Sequence, residues 1–424
     1  MSASGERLPA GLDLTTLLLG AYILLLPVQV EYRVEMRIAP SDLILALYLL
    51  VAAPVVRVVR DAWNDWLPAF ALVLLFGAWV TVARSGVLPV YVAANKLAGF
   101  GVVLASYLAI SSAAHSWTRI RWFMRMYVLG CTANAVAALA IYAYTWNTGT
   151  PVGWWNYGQW RVSGLLIDPN AYGGLLVLAL AFLLLARFQD QNLFGPVLST
   201  ISFAALFCGV LFSFSRTAWA MFAMVAICAL LTRGKALIAV GAAVVACGLA
   251  IVLGQDTDLL GVARSMAMRP AAGTHRLELV RQAWETFSQH PLTGGGLGCF
   301  FAFGKTMIHN SALMCLAELG IVGFTVFCGM VWWWWWQAWR LSWLGPAEAR
   351  GLIIALLSAH TAMLMLSLGI EALYQRHWWM TLALIGAARA LALRANTSTI
   401  SERPATETEG EIHAWRTVHP SYRW

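Results

Sequence analysis

Charge is what this chain of 424 residues most lacks. Acidic and basic side chains make up 11% of it, where a soluble domain carries about 25%. That shortage excludes a disordered or nucleic-acid-coating protein and argues against a soluble multidomain enzyme. Lysine is scarcer still: Lys96, Lys235 and Lys305 stand against 25 arginines. No loop offers the basic stripe with interleaved aromatics that nucleic-acid binding needs. The 7 cysteines show neither a CxxC pair nor a Cys/His ligand spacing, so a disulfide framework and a zinc site are both excluded. No A-x-A cleavage site follows the first apolar run, which is read as a retained helix.

What fills the chain is apolar sequence. Hydrophobic residues make up 60% of it, and the mean hydropathy is +0.69. At roughly 20 residues per span, this fits an all-α polytopic membrane protein of about twelve helices. Spans are predicted near 12–30, 42–59, 66–83, 87–113, 122–146, 171–187, 196–214, 217–232, 235–254, 310–339, 349–370 and 375–394. They form a single transmembrane domain over 1–395, followed by a polar, disordered tail over 396–424. Arg and Lys cluster in alternate loops, which orients both termini to the cytoplasm. Two outer loops then stand out. One, 147–170, is rich in Trp, Gly and Asn. The other, 255–308, carries a predicted amphipathic helix from Thr274 to Gln289, with Leu277, Val280, Trp284 and Phe287 as its apolar stripe. Such a loop suggests a site roofed at the membrane surface.

The few outer charges are the candidate chemistry. Arg161 and Arg216 lie beside apolar spans, where an Arg either snorkels or faces a polar cavity. The large loop adds Arg264, Arg269, Arg276, Arg281 and Lys305. Guanidinium forks suit phosphate oxygens, so converging arginines would suit a lipid-linked diphosphate. His309 precedes Asn310 at the start of a span, where the helix dipole disfavours an imidazolium. It can therefore accept a proton, or simply satisfy the interface. His275, His290 and His377 are outer rivals; His115 and His360 have no evident partners for chemistry. Lys96 is placed to snorkel or to contact phosphate. Glu318 and Glu371 are intramembrane acids, hence functional suspects, with helix packing as their other role. Asp256 and Asp258 give only a thin metal signal, and no metal is expected. The stretch from Gly298 to Thr306 approaches a phosphate loop but places five residues between its glycines. Gly294-Gly295-Gly296-Leu297-Gly298 reads as a flexible turn. The run Trp332 to Trp336 reads as an aromatic belt, while Trp154, Trp155 and Trp160 suit either sugar stacking or interface anchoring.

Several of these residues form motifs. Arg161-Val162-Ser163-Gly164-Leu165 matches the R-x3-L motif of bacterial O-antigen ligases. His309-Asn310, then nine residues, then Gly320-Ile321-Val322-Gly323 matches their H-[NSQ]-x9-G-x-x-[GTY] motif. Asp168-Pro169-Asn170, Ser215-Arg216-Thr217 and the run from Arg276 to Phe300 also resemble stretches of the wider ligase and polymerase superfamily. The resemblance implies a membrane glycosyltransferase fold of GT-C-like type at the bacterial inner membrane, with its site facing the periplasm. It implies transfer of a polysaccharide from undecaprenyl diphosphate to a sugar hydroxyl of lipid A–core, without nucleotide, metal or other cofactor. His309 would be the general base and Arg161 the diphosphate binder. Arg216 and Arg276 would support it, with Arg264 and Lys305 behind them. An O-antigen polymerase and a protein O-oligosaccharyltransferase are the neighbouring readings. A lipid or solute transporter is the reading from another class. It predicts paired half-repeats, which the sequence does not display.

Overall fold

Helices account for nearly all of what the computed structural model describes, namely residues 13–29, 39–53, 56–84, 87–150, 152, 156–157, 161–166, 168–186, 192–233, 271–302 and 308–401. In chain order they are α1 (Leu14–Leu24), α2 (Pro40–Ala52), α3 (Trp66–Arg84), α4 (Val87–Ala113) and α5 (Trp117–Thr148). After a short hairpin come α6 (Pro169–Leu185), α7 (Pro196–Phe212) and α8 (Arg216–Arg233). Then follow α9 (Ala271–Gln289), α10 (Cys299–Ala302), α11 (Ser311–Leu344), α12 (Arg350–Ser367) and α13 (Arg376–Ser401). Eleven of the twelve expected spans coincide with a helix; the one at 235–254 lies outside the described residues, as do 402–424.

Among the described residues, five helices are long and apolar enough to cross a bilayer: Trp66–Arg84, Val90–Ala113, Trp117–Thr148, Ser311–Leu344 and Ala347–Ser367. Five shorter apolar helices join them. The result is an all-α, multi-pass membrane protein. Local chemistry sets the helix starts. Asp13, Ser116, Asp168 and Asn310 each accept a backbone N–H of the first turn, which satisfies a donor that lipid would leave orphaned. Pro40, Pro169 and Pro196 open their helices, where a missing N–H does no harm. The break expected between the seventh and eighth spans is real. α7 stops at Phe212, and Phe214 takes φ 48° before α8 begins at Arg216.

α6 is buried on every side and packs against α5, α7, α8 and α12. α12 bridges this group to a second one in which α11 packs against α3, α9 and α13. In lipid such packing gains little from the hydrophobic effect; close contact and satisfied polar groups carry it.

Three expectations need correcting. The amphipathic helix starts at Ala271 rather than Thr274. Of its stripe, Leu277, Val280 and Trp284 are exposed and Phe287 is half-buried, while Leu279 and Ala283 are buried. The stripe continues through exposed Leu292 toward exposed Ile321 and Val322 on α11. The Trp run is not one belt. Trp334 is buried, edge-on to Tyr107 and Trp379. Trp332, Trp335 and Trp339 instead stack on one another at 4.9 and 5.4 Å.

The glycine turn is the third correction. Gly294, Gly296 and Gly298 have φ of 65°, 105° and 80°, which non-glycine residues rarely adopt. The turn is pinned from both sides. Gly295 N–H and Gly296 N–H donate to the carbonyls of Ala317 and Glu318, Leu297 N–H donates to Gly77 O, and Thr81 Oγ1 donates to Leu297 O. It is a wedge driven between α3 and α11. The carbonyls it takes belong to a helix that breaks there. Gly320 sits at φ 67°, and Ile321 N–H donates at 2.8 Å to Pro291 O. A Cβ on Gly320 would fall 2.3 Å from Leu292 O. The first glycine of the long His motif is thus the point where α11 opens to admit the wedge.

Candidate functional site

Arg161 is placed by a two-residue hairpin, in which Tyr157 pairs with Arg161 and Asn156 with Val162. Downstream, Leu165 anchors the R-x3-L segment: its carbonyl accepts from Gln29 N–H at 2.9 Å, and its N–H donates to Asn134 Oδ1 at 3.2 Å. From this base the half-buried Arg161 side chain crosses to the N-terminal end of α6. Its Nε donates to Ser213 O at 2.9 Å and its Nη2 to Asn170 Oδ1 at 3.0 Å. Asn170 is held in turn by Asp168 Oδ1, which accepts both its backbone N–H and its Nδ2. The Asp168-Pro169-Asn170 stretch therefore caps a helix and orients Arg161 at once. Ser213 O and Asn170 Oδ1 are neutral acceptors that help orient the guanidinium.

Ser213 belongs to the α7–α8 junction. Two residues on, Ser215 Oγ accepts Ala218 N–H, and Arg216 opens α8 with an exposed side chain. Thr217 lies against the segment that follows α12: a Cβ on Gly369 would fall 2.8 Å from Thr217 Oγ1. That segment, 368–372, is stitched to the start of α11. Asn310 Nδ2 donates to Leu368 O at 3.3 Å, Ser311 Oγ donates to Ile370 O at 3.3 Å, and Ala372 N–H donates to Ser311 Oγ at 2.7 Å. His309, half-buried, immediately precedes these residues. Hydrogen bonds, one close packing contact and short stretches of backbone therefore link Arg161 through Ser213, Thr217, Gly369 and Leu368 to Asn310. The segments that carry Arg161, Arg216 and His309 are thereby neighbours in the fold.

The other diphosphate-binding candidates lie wholly or partly outside the described residues. The backbone of Arg276 lies in α9, with its side chain outside the described residues. Arg264 and Lys305 also fall outside them, as do Asp256, Asp258, Trp154, Trp155 and Trp160. Among the rival histidines, His360 is a packing residue. It accepts from Trp378 Nε1 at Nδ1, which leaves Nε2 to donate to Val331 O at 3.0 Å. His377 is buried and stacked on Tyr127.

Sequence reasoning flagged Lys96, Glu318 and Glu371 one by one, and missed that they meet. Lys96 Nζ lies 3.1 and 2.9 Å from the two oxygens of Glu318 and 3.2 Å from Glu371 Oε1. The Glu371 contact is an ion pair that misses hydrogen-bond geometry. Lys96 is therefore tied up by carboxylates, which argues against the phosphate contact considered for it.

Chemically, guanidinium donors and an imidazole on neighbouring segments of an apolar bundle can do two things. The donors can stabilise developing negative charge, and the imidazole can accept a proton. This defines a class: a multi-pass helical membrane protein. The family model described as O-antigen ligase matches residues 201–328. The match takes in Arg216, α9, the glycine wedge and the whole motif from His309 to Gly323, so the resemblance drawn from that motif is borne out there. Arg161 lies outside the matched residues. No curated protein matches the chain.

Proposed function

We propose that the protein is an O-antigen ligase, a glycosyltransferase acting on the periplasmic face of the bacterial inner membrane. It transfers a polysaccharide from undecaprenyl diphosphate to a sugar hydroxyl of lipid A–core. The observation that supports this reading is the series of contacts and short backbone steps from Arg161 to Asn310, which links the segments that carry Arg161, Arg216 and His309. The acceptor oxygen attacks the anomeric carbon of the first donor sugar. The bond from that carbon to the diphosphate oxygen breaks, and its electron pair leaves with undecaprenyl diphosphate. The hydroxyl proton passes to the His309 imidazole. Arg161 and Arg216 bind the diphosphate and stabilise the charge that grows on its leaving oxygen. Arg276, and then Arg264 and Lys305, are the further diphosphate-binding candidates. The diphosphate is already a good leaving group, so nucleotide, metal or other cofactor is not required. The fold is read as GT-C-like, and both termini as cytoplasmic.

A reconstituted assay tests this. Purified protein is given an undecaprenyl-diphosphate glycan and lipid A–core, without nucleotide or added metal. Glycan-extended lipopolysaccharide is expected from the wild type and none from His309→Ala. Lengthening of the glycan on its carrier, with no transfer to lipid A–core, would make the protein a polymerase instead.

A further inference from the structure

The cluster of Lys96, Glu318 and Glu371 has no part in the chemistry above, yet it is buried and drawn from three places. Lys96 comes from α4, Glu318 from α11 and Glu371 from the segment after α12. Their side chains are 15%, 2% and 4% exposed. Glu318 is held twice, by Lys96 and by Gly298 N–H at 2.9 Å, so it is fixed to the glycine wedge. Glu371 is different. Its backbone neighbours, Ile370 and Ala372, are the two residues that bind Ser311. Leu368, three residues earlier, binds Asn310. The residues that stitch the start of α11 in place therefore flank Glu371, and Lys96 of α4 pairs with its carboxylate.

Two carboxylates facing one ammonium is more acid than packing needs. Lys96 and Glu318 already form a balanced, hydrogen-bonded pair. A second buried carboxylate adds desolvation cost, which a purely structural cluster would avoid with glutamine. The extra acid has one evident consequence: it draws the 368–372 segment toward α4, and with it the backbone beside His309.

We propose that the Lys96–Glu371 ion pair is a positioning device for His309, and that both are positioning residues for transfer. This rests on the ligase reading for its catalytic consequence but not for its geometry. The pair sets the 368–372 segment, the segment sets Asn310 and Ser311 through three hydrogen bonds, and these set His309.

Glu371→Gln is the first test, because it leaves Lys96 and Glu318 as a balanced pair and so spares folding. Three readouts are taken on the full-length protein: its melting temperature, kcat and KM for transfer, and the rate at which diethyl pyrocarbonate modifies His309, resolved by mass spectrometry. The expected result is a melting temperature at or above that of the wild type, kcat lowered at least tenfold with KM unchanged, and His309 modification altered at least threefold. The triple variant K96M/E318Q/E371Q, which removes all three charges together, is expected to behave the same way. Wild-type kcat and unchanged His309 modification in both variants would overturn the proposal and leave the cluster as packing. The modification rate needs no substrate. If the wild type transfers nothing, the ligase reading fails while the positioning claim is still decided.

Discussion

Among the described residues the same triad, one cation between two glutamates, occurs in two opposite settings. Lys96, Glu318 and Glu371 come from three parts of the fold and are buried. Arg281, Glu278 and Glu285 lie on α9 at helical spacing, with Arg281 2.7 Å from one and 2.6 Å from the other, and all three are exposed. Distances alone would rank the surface triad as the tighter. Physics ranks it as the weaker, because water and salt screen exposed pairs. The buried charges have given up hydration, which one another and, at Glu318, the Gly298 N–H replace. What matters is what each triad joins. The surface one joins a helix to itself, whereas the buried one joins the glycine wedge to the segment beside His309.

The largest effect should come from breaking the buried triad by halves. Lys96→Met leaves two carboxylates buried without a cation and should destabilise the fold by about 3–5 kcal/mol. Arg281→Met should leave the melting temperature in detergent unchanged. Equal losses in the two variants would erase the distinction. Next comes the wedge that Glu318 holds. Gly320→Ala places a methyl 2.3 Å from Leu292 O at φ 67°, and should lower stability by more than the roughly 1–3 kcal/mol of backbone strain alone. Gly149→Ala is the matched control. Its φ is 69° but nothing lies within 4 Å of the added Cβ, so it should show about 1–2 kcal/mol. Thermal melts of the two variants check the order.

A smaller effect separates the two partnered arginines. Arg161 is oriented by the carbonyl of Ser213 and the amide of Asn170, Arg281 by two carboxylates. Arg161→Lys keeps the charge but loses the planar fork, and should weaken donor binding about tenfold, roughly 1.4 kcal/mol. The smallest effect is confined to acid. Hydrogen bonds from Arg281, and then from Gln282, pull the Glu278 carboxyl down to about 2 from 4.5. A lowered folded-state value adds stability above the unfolded pKa and loses it as pH falls through the folded one. α9 should therefore loosen between about pH 4.5 and pH 2 in the wild type and less so in Arg281→Met. Amide hydrogen exchange across 277–289 would show it.

Much of this was legible in the sequence. Apolar runs marked eleven of the helices described, and the break at Ser213 to Arg216 was visible between two runs. Arg161 and Arg216 were singled out by charge where topology does not ask for it, and His309 by its place at the start of a span. The misses share a physical cause. A hydrophobic stripe states that a face is apolar, not which apolar neighbour it meets. In a membrane protein lipid serves as well as core, so the pattern of α9 alone left the facing of its stripe open. The glycine cluster was read as slack because glycine permits many conformations; contacts to Gly77, Ala317 and Glu318 select one. The Lys96 cluster was out of reach for another reason. Its members are separated by 222 positions between Lys96 and Glu318, and no local pattern pairs residues so far apart. Similarly, nothing before the fold said that Asn170 and Ser213 would hold Arg161.

The central claim is a division of labour, with Arg161 holding the diphosphate and His309 taking the proton. It is tested most directly by measuring equilibrium binding of a short-chain undecaprenyl-diphosphate sugar to the wild type, Arg161→Ala and His309→Ala. The account predicts that Arg161→Ala binds at least tenfold more weakly. It also predicts that His309→Ala binds like the wild type while transferring nothing. Normal binding by Arg161→Ala, or a matching loss of binding in His309→Ala, would contradict it.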